Sequence, residues 1–245
     1  YLLGALDGYT EAEAVGVDEM PELERYMLSL LGELDGRMKA AVDDFDFNTY
    51  TRALVDFCNE DLSAFFFDIR KDALYCDHPA DLRRRAYRTT LDTMFQALIR
   101  YAAPVLVFTA EEVWRTRYRD GESVHLQEWP VVPVVADTGL LDKWTALRAT
   151  RAEVLEAIEP LRRDKVVRSS LEADVTAPVD LAATDWAELL ISSTVHVGDL
   201  AVSKTTHHKC GRCWRHLPEV AEDGDLCGRC DDVVSRLDAE AAMPA

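Results

Sequence analysis

The sequence contains no run of eighteen or more uninterrupted apolar residues, so nothing in it reads as a membrane-spanning helix. It lacks an excess of basic charge: 27 Lys and Arg face 45 Asp and Glu, a formal net charge of -18, and a chain of that sign does not coat nucleic acid by bulk attraction. Cysteine is sparse, at six residues. Two of these, Cys58 and Cys76, stand alone, and four form two Cys-x-x-Cys pairs, a usage that favours metal ligation in a reducing compartment over an extracellular disulfide scaffold. An initiating Met is also missing. The chain opens Tyr1-Leu2-Leu3-Gly4 inside an apolar run and is expected to be part of a longer protein, which leaves targeting signals unobservable.

What is present is enough apolar material, 48% of 245 residues, to bury a sizeable core and to divide into more than one unit. Charge is uneven along the chain. Residues 1–69 carry four basic against sixteen acidic side chains, whereas residues 201–220 carry Lys204, Lys209, Arg212 and Arg215 against Glu219 alone. A second basic cluster, Arg83, Arg84, Arg85 and Arg88, follows Arg70 and Lys71. A polyanion would be met at these places.

The first two thirds of the chain read as helices. From Pro21 the apolar positions Leu23, Tyr26, Met27, Leu30, Leu31, Leu34, Met38, Ala41, Val42 and Phe45 recur at helical spacing. A second helix is expected from Asn48 through Leu54, Cys58, Leu62, Phe65, Phe66 and Ile69, with Cys58 filling core, and a third from Pro79 until Pro104 stops it. Thr109-Ala110-Glu111-Glu112 matches a capping box opening a shorter helix with Val113 and Trp114. Together these predict an antiparallel helical bundle over residues 1–137. Residues 118–138, with Pro130, Pro133 and Gly121, read as a strapped loop. Over residues 138–204 a helix from Leu140 to Leu161 and short β-like runs, with a helical piece near Asp185, predict a small α/β linker module. Leu2, Leu3 and Leu6 are candidates for an exposed apolar patch.

Residues 205–245 hold the sharpest signal. Cys-Gly-Arg-Cys occurs twice, at Cys210 to Cys213 and Cys227 to Cys230, and two such turns supply the four thiolates of a tetrahedral zinc site. Gly211 and Gly228 are expected to relieve tight backbone, and Asp223-Gly224 to turn the second pair back onto the first. A redox dithiol would need only one pair and would leave its duplicate unexplained. His207, His208 or His216 in place of one thiolate remains an alternative. Lys209, Arg212, Arg215 and Arg229 either balance the charge of the thiolates or contact phosphates, and Trp214, expected to be partly buried, is placed to stack on an unpaired base or ribose. A zinc ion with all four positions filled by protein is structural, with no open site to activate water.

Four stretches, residues 46–77, 123–130 (SVHLQEWP), 166–175 (VVRSSLEADV) and the terminal cysteine pairs, resemble the carboxyl-terminal part of bacterial isoleucyl-tRNA synthetases, class I enzymes. The bundle alone would also suit the valyl, leucyl and methionyl enzymes; FFFDIRKDALYCD and the four-cysteine clasp narrow the resemblance. It implies an anticodon-binding bundle, a connecting module and a zinc-binding tail, with tRNA(Ile) as partner through its anticodon stem-loop. It implies cytoplasmic location, a monomeric full-length enzyme, and ATP and isoleucine bound only in a catalytic domain whose His-Ile-Gly-His and Lys-Met-Ser-Lys-Ser motifs are absent here, so that no catalytic residue is expected in this chain. RNA contacts are expected from Arg70, Lys71, Arg83, Arg84, Lys209, Arg212, Trp214 and Arg215, and metal ligation from Cys210, Cys213, Cys227 and Cys230. A repair glycosylase and a protein-binding adaptor are the competing readings; the first lacks its catalytic amino terminus and its helix-two-turn-helix element here.

Overall fold

The structure, a computed structural model, describes residues 1–242 and is mainly helical. The last three residues of the expected tail, 243–245, lie outside the described residues. Contacts divide the chain into two compact units: one of Tyr1–Leu74 and Pro79–Leu141, the other of Tyr75–His78 with Asp142 onward.

The first unit begins with a short helix, α1 (Leu2–Ala5), and a segment with two 3-10 turns, followed by α2 (Glu22–Asp43), α3 (Phe47–Asp56), a wide π-helical stretch over Phe57–Phe67, α4 (Asp68–Cys76), whose last two residues belong to the second unit, α5 (Leu82–Ala102) and α6 (Val107–Arg117). The apolar stripe of α2 buries Leu23, Met27, Leu31, Leu34 and Met38, and α5 buries Tyr87, Leu91, Met94, Phe95 and Leu98. The stripe of α2 stops earlier than its spacing suggests. Phe45 lies past the helix end at φ 55 and is 78% exposed, and Val42 is also exposed.

The expected second helix is continuous but not uniform. Phe57, Leu62 and Phe66 are buried at intervals of five and four, and the wider π turn, whose hydrogen bonds run from i to i+5, keeps them on one face where an α register would rotate Leu62 away. Cys58 is half-buried, and desolvation raises its thiol pKa, in keeping with a packing role.

The amino-terminal segment is pinned to α5 by the arginines of the second basic cluster. Arg88 donates to the Asp7 carbonyl (2.7 Å) and pairs with Glu13 (3.2 Å), while Arg85 donates to the carbonyls of Glu13 and Ala14. Leu6 is buried and Leu2 and Leu3 are half-buried, so the exposed patch expected there does not form.

The capping box expected at Thr109 is not used. The helix already starts at Val107, which places Thr109 inside it. The Glu111 carboxylate instead turns toward the strap: Oε2 accepts from Ser123 Oγ (2.8 Å) and Val124 N (3.0 Å), and Oε1 from Arg115 Nε (2.8 Å). Farther along, Trp129 Nε1 and the Tyr101 hydroxyl both donate to Asp35 Oδ1, so the proline-rich loop is fastened to the bundle as a strap.

The second unit continues α7 (Leu140–Arg163), with Pro160 in its last turns. A three-stranded sheet follows, its central strand β1 (Ala173–Ala177) parallel to β2 (Thr194–Val197) and antiparallel to β3 (Ala201–Lys204). The crossover between β1 and β2 carries α8 (Trp186–Leu190), capped by Asp185 Oδ1 accepting from Glu188 N (2.9 Å). Val175, Trp186, Leu189, Leu190, Val154 and Ile158 are buried, and Arg151 of α7 donates to the Leu189 carbonyl. A two-stranded ribbon of β4 (His208–Lys209) and β5 (His216–Leu217) and a final helix, α9 (Gly228–Ala241), complete the unit. No helix among the described residues is long and apolar enough to cross a membrane.

Candidate metal centre

The first cysteine pair occupies the turn between β4 and β5. Cys210 N donates to the Arg215 carbonyl and Trp214 N returns to the Cys210 carbonyl (3.1 Å), which folds Cys210 to Cys213 into a knuckle and leaves Trp214 at φ 65. The second pair sits at the start of α9, with Cys227 as its N-cap residue and Cys230 in the first turn. The two are brought together by the Asp223-Gly224-Asp225 turn, Gly224 being at φ 104. Gly224 N donates to the Lys209 carbonyl, Gly211 N to the Asp225 carbonyl (both 2.9 Å), and Lys209 N to Asp223 Oδ1 (2.7 Å). The turn expected at Asp223-Gly224 is therefore what closes the clasp. Of the two glycines, only Gly211 is sterically required: a β-carbon there would lie 2.3 Å from the Gly224 carbonyl oxygen, whereas one at Gly228 meets nothing within 4 Å.

All four sulfurs are buried and lie within 4.8 Å of one another, with Cys213 Sγ and Cys227 Sγ 3.8 Å apart. A tetrahedron of thiolates about 2.3 Å from a zinc ion has edges of about 3.8 Å, so the donor set and its spacing fit zinc. His216 serves elsewhere, its Nδ1 bonded to the His207 carbonyl (2.8 Å), and among the described residues the group of side chains able to hold a metal contains the four cysteines and no histidine.

Electrostatics within the cluster is uneven. Burial opposes ionisation of Cys210, but the N–H groups of Cys213, Cys227 and Arg212 outweigh it and lower its pKa to about 6. Burial, together with the neighbouring charges of Cys230 and Cys227, pushes Cys213 up, and burial also raises Cys227. Four sulfurs this close ionise together only around a cation, which is the condition a divalent metal supplies.

The basic side chains expected to meet RNA divide into two sets. Arg70 is buried and forms a two-point ion pair with buried Glu24, Nε to Oε1 at 2.6 Å and Nη2 to Oε2 at 2.9 Å. Arg84 donates to the Leu74 carbonyl (3.0 Å), and Arg212 to the carbonyls of Cys76 and Tyr75. Phosphate contact by Arg70 does not fit this placement, because leaving Glu24 buried and unpaired costs more than a surface contact returns. Lys71 is exposed beside Asp68, and Arg83 is half-buried in the first turn of α5. Lys209 is exposed, with its Nζ 5.1 Å from the Trp214 ring centroid; Trp214 is 61% exposed instead of partly buried, and Arg215 is half-buried.

Residues 24–177 match the family described as the anticodon-binding domain of tRNA ligase, well over half of the chain. The chain belongs to the anticodon-binding domains of tRNA ligases. That membership implies tRNA binding. Residues 208–233 of this anticodon-binding protein match a zinc finger described as found in FPG and IleRS, and that span encloses all four cysteines. It is 53% identical to the isoleucine-tRNA ligase of Zymomonas mobilis over 251 residues, 46% to that of Gluconobacter oxydans over 260, and 40% to that of Agrobacterium fabrum over 248. These alignments cover 96%, 96% and 91% of the chain but 27%, 26% and 26% of the relatives, so the chain spans about a quarter of the length of the curated relatives it matches.

One functional element was not legible as such in the sequence. Cys76 is buried in the same cluster as the four clasp cysteines, and its neighbours Asp77 and His78 meet Arg229 (3.3 Å) and Glu240 (3.2 Å) of the tail. The available signal was the density of Cys, Asp and His in four residues ahead of Pro79.

Proposed function

We propose that this chain is the anticodon-reading portion of an isoleucine-tRNA ligase and that its cognate partner is tRNA(Ile), bound through the anticodon stem-loop. The bundle of residues 1–137 is the frame for the splayed anticodon loop, residues 138–204 connect, and residues 205–245 form a second grip held in shape by one zinc ion on Cys210, Cys213, Cys227 and Cys230. The whole enzyme joins isoleucine to its tRNA with ATP and hydrolyses mischarged valine; those steps belong to domains outside this chain, which by itself does not activate isoleucine. The enzyme is monomeric and cytoplasmic.

The observation that carries this reading is an exposed Trp214 standing directly on the clasp with Lys209 against its ring. A bulky residue at positive φ is strained, typically by 1–3 kcal/mol, and persists only where the surroundings hold it. Here the clasp holds it largely exposed, as a base-stacking platform needs, and the nearby ammonium supplies phosphate attraction. Lys71 and Arg215 are the further candidates for phosphate; Arg70, Arg84 and Arg212 drop from the set because their guanidiniums serve internal partners.

The test is binding of tRNA(Ile) and of unrelated tRNAs across a salt series. The cognate RNA should bind more tightly, with affinity falling as salt rises. Trp214→Ala should weaken it by about 1–3 kcal/mol, roughly 5- to 150-fold, while zinc content stays at one per chain. Equal binding of all tRNAs, or an unchanged Trp214→Ala variant, overturns the reading.

A further inference from the structure

We infer that Arg212 is a positioning residue of the metal centre and not a phosphate ligand: its guanidinium joins Cys230 Sγ to the last two carbonyls of α4, so that metal retention and the order of Tyr75–His78 are one cooperative property. This rests on the reading of the four thiols as a zinc site.

Nη1 of Arg212 lies 3.8 Å from Cys230 Sγ and also donates to the Cys76 carbonyl, while Nη2 donates to the Tyr75 carbonyl at 3.4 Å. A reciprocal contact runs the other way, from Cys76 Sγ to the Arg212 carbonyl at 3.9 Å. Two further links flank it, Arg229 Nη1 to Asp77 Oδ1 at 3.3 Å and His78 Nε2 to Glu240 Oε1 at 3.2 Å. Residues 136 positions apart in the chain thus close around one guanidinium.

Each end of this bridge has a physical need for it. Four thiolates around a divalent cation leave two negative charges in a buried place, and an N–H directed at Cys230 Sγ offsets part of that charge and fixes the sulfur's orientation. Groups that hold metal ligands in this way typically change metal affinity 10–100-fold when removed. At the other end, the terminal carbonyls of a helix have no partner within it and carry the negative end of its dipole. A planar fork meets two of them at once, which an ammonium does not. An RNA phosphate that took Nη1 or Nη2 would displace the contacts to Cys230 Sγ and the two helix carbonyls.

The experiment uses the full zinc-loaded chain and compares wild type with Arg212→Gln, Arg212→Lys and, as control, Arg215→Gln. Zinc release to excess chelator is followed with a colorimetric zinc indicator, and amide hydrogen exchange is followed over Tyr75–His78. Arg212→Gln should release zinc about 10–100 times faster and exchange faster at Tyr75–His78 while still metal-loaded. Arg212→Lys should fall between, and Arg215→Gln should match wild type. Wild-type chain stripped of zinc should lose protection at Tyr75–His78 without any substitution, which keeps the test decisive even if a variant folds poorly. Wild-type release and exchange in Arg212→Gln overturns the inference, and so does faster release with Tyr75–His78 fully protected. A wild-type chain that holds no zinc at all overturns the metal reading itself, a result distinct from either.

Discussion

At Gly211 a β-carbon would lie 2.3 Å from the Gly224 carbonyl oxygen, a separation that real β-carbons do not adopt, so one added methyl must push the two halves of the clasp apart. Gly228 has the same sequence neighbours and the opposite environment, with open space around it at the first position of α9. Gly211→Ala is therefore expected to destabilise the tail by about 2 kcal/mol or more and to lower zinc occupancy. Gly228→Ala should be neutral or stabilising by up to about 1 kcal/mol. Zinc-to-protein stoichiometry and denaturation midpoints of the two variants check this. The arginines of the repeat diverge in the same way, Arg212 reaching backbone carbonyls and a sulfur, and Arg229 reaching Asp77. Identical letters thus mark identical ligand chemistry at the cysteines but not identical roles between them, because the partners come from distant parts of the chain.

Among the elements, helices were legible wherever burial follows a 3.6-residue period, as in α2 and α5, and less so where other contacts intervene. Three consecutive phenylalanines at 65 to 67 conceal the wider π turn, and the Thr109 capping signal is overruled because Glu111 is more useful to the strap than to its own helix. That use is measurable through pH. Hydrogen bonds from Arg115, then Ser123, with the Val124 N–H adding to them, lower the Glu111 pKa from 4.5 to about 2. A carboxylate depressed on folding contributes stability that is fully present above its unfolded pKa and is lost as pH falls from about 4.5 toward about 2. Glu111→Gln should therefore have a lower denaturation midpoint than wild type above pH of about 5, and the difference should shrink toward pH of about 2. A difference constant across that range contradicts the role given to the carboxylate.

For the whole molecule, the two compact units predict a divided response to metal removal. Chelation should abolish hydrogen-exchange protection in β4, β5 and the start of α9, since metal binding supplies folding free energy to so small a ribbon. The helices α2, α3 and α5 should keep theirs, because their stability comes from buried apolar side chains with no sulfur among the metal ligands. Loss of protection in both at the same chelator concentration would contradict this independence. The amino-acid order by itself determined the amphipathic helices, the α/β alternation and the four-thiol ligand set, since each depends on spacing over a few residues. Only the tertiary structure decided which cations face solvent. A basic residue in a sequence carries no record of the carboxylate or carbonyl that folding brings to it, and long-range packing gave Arg70 to Glu24, Arg88 to the amino-terminal segment and Arg212 to the end of α4. It left Lys209 and Trp214 outside, where a short ribbon has no interior to hide them.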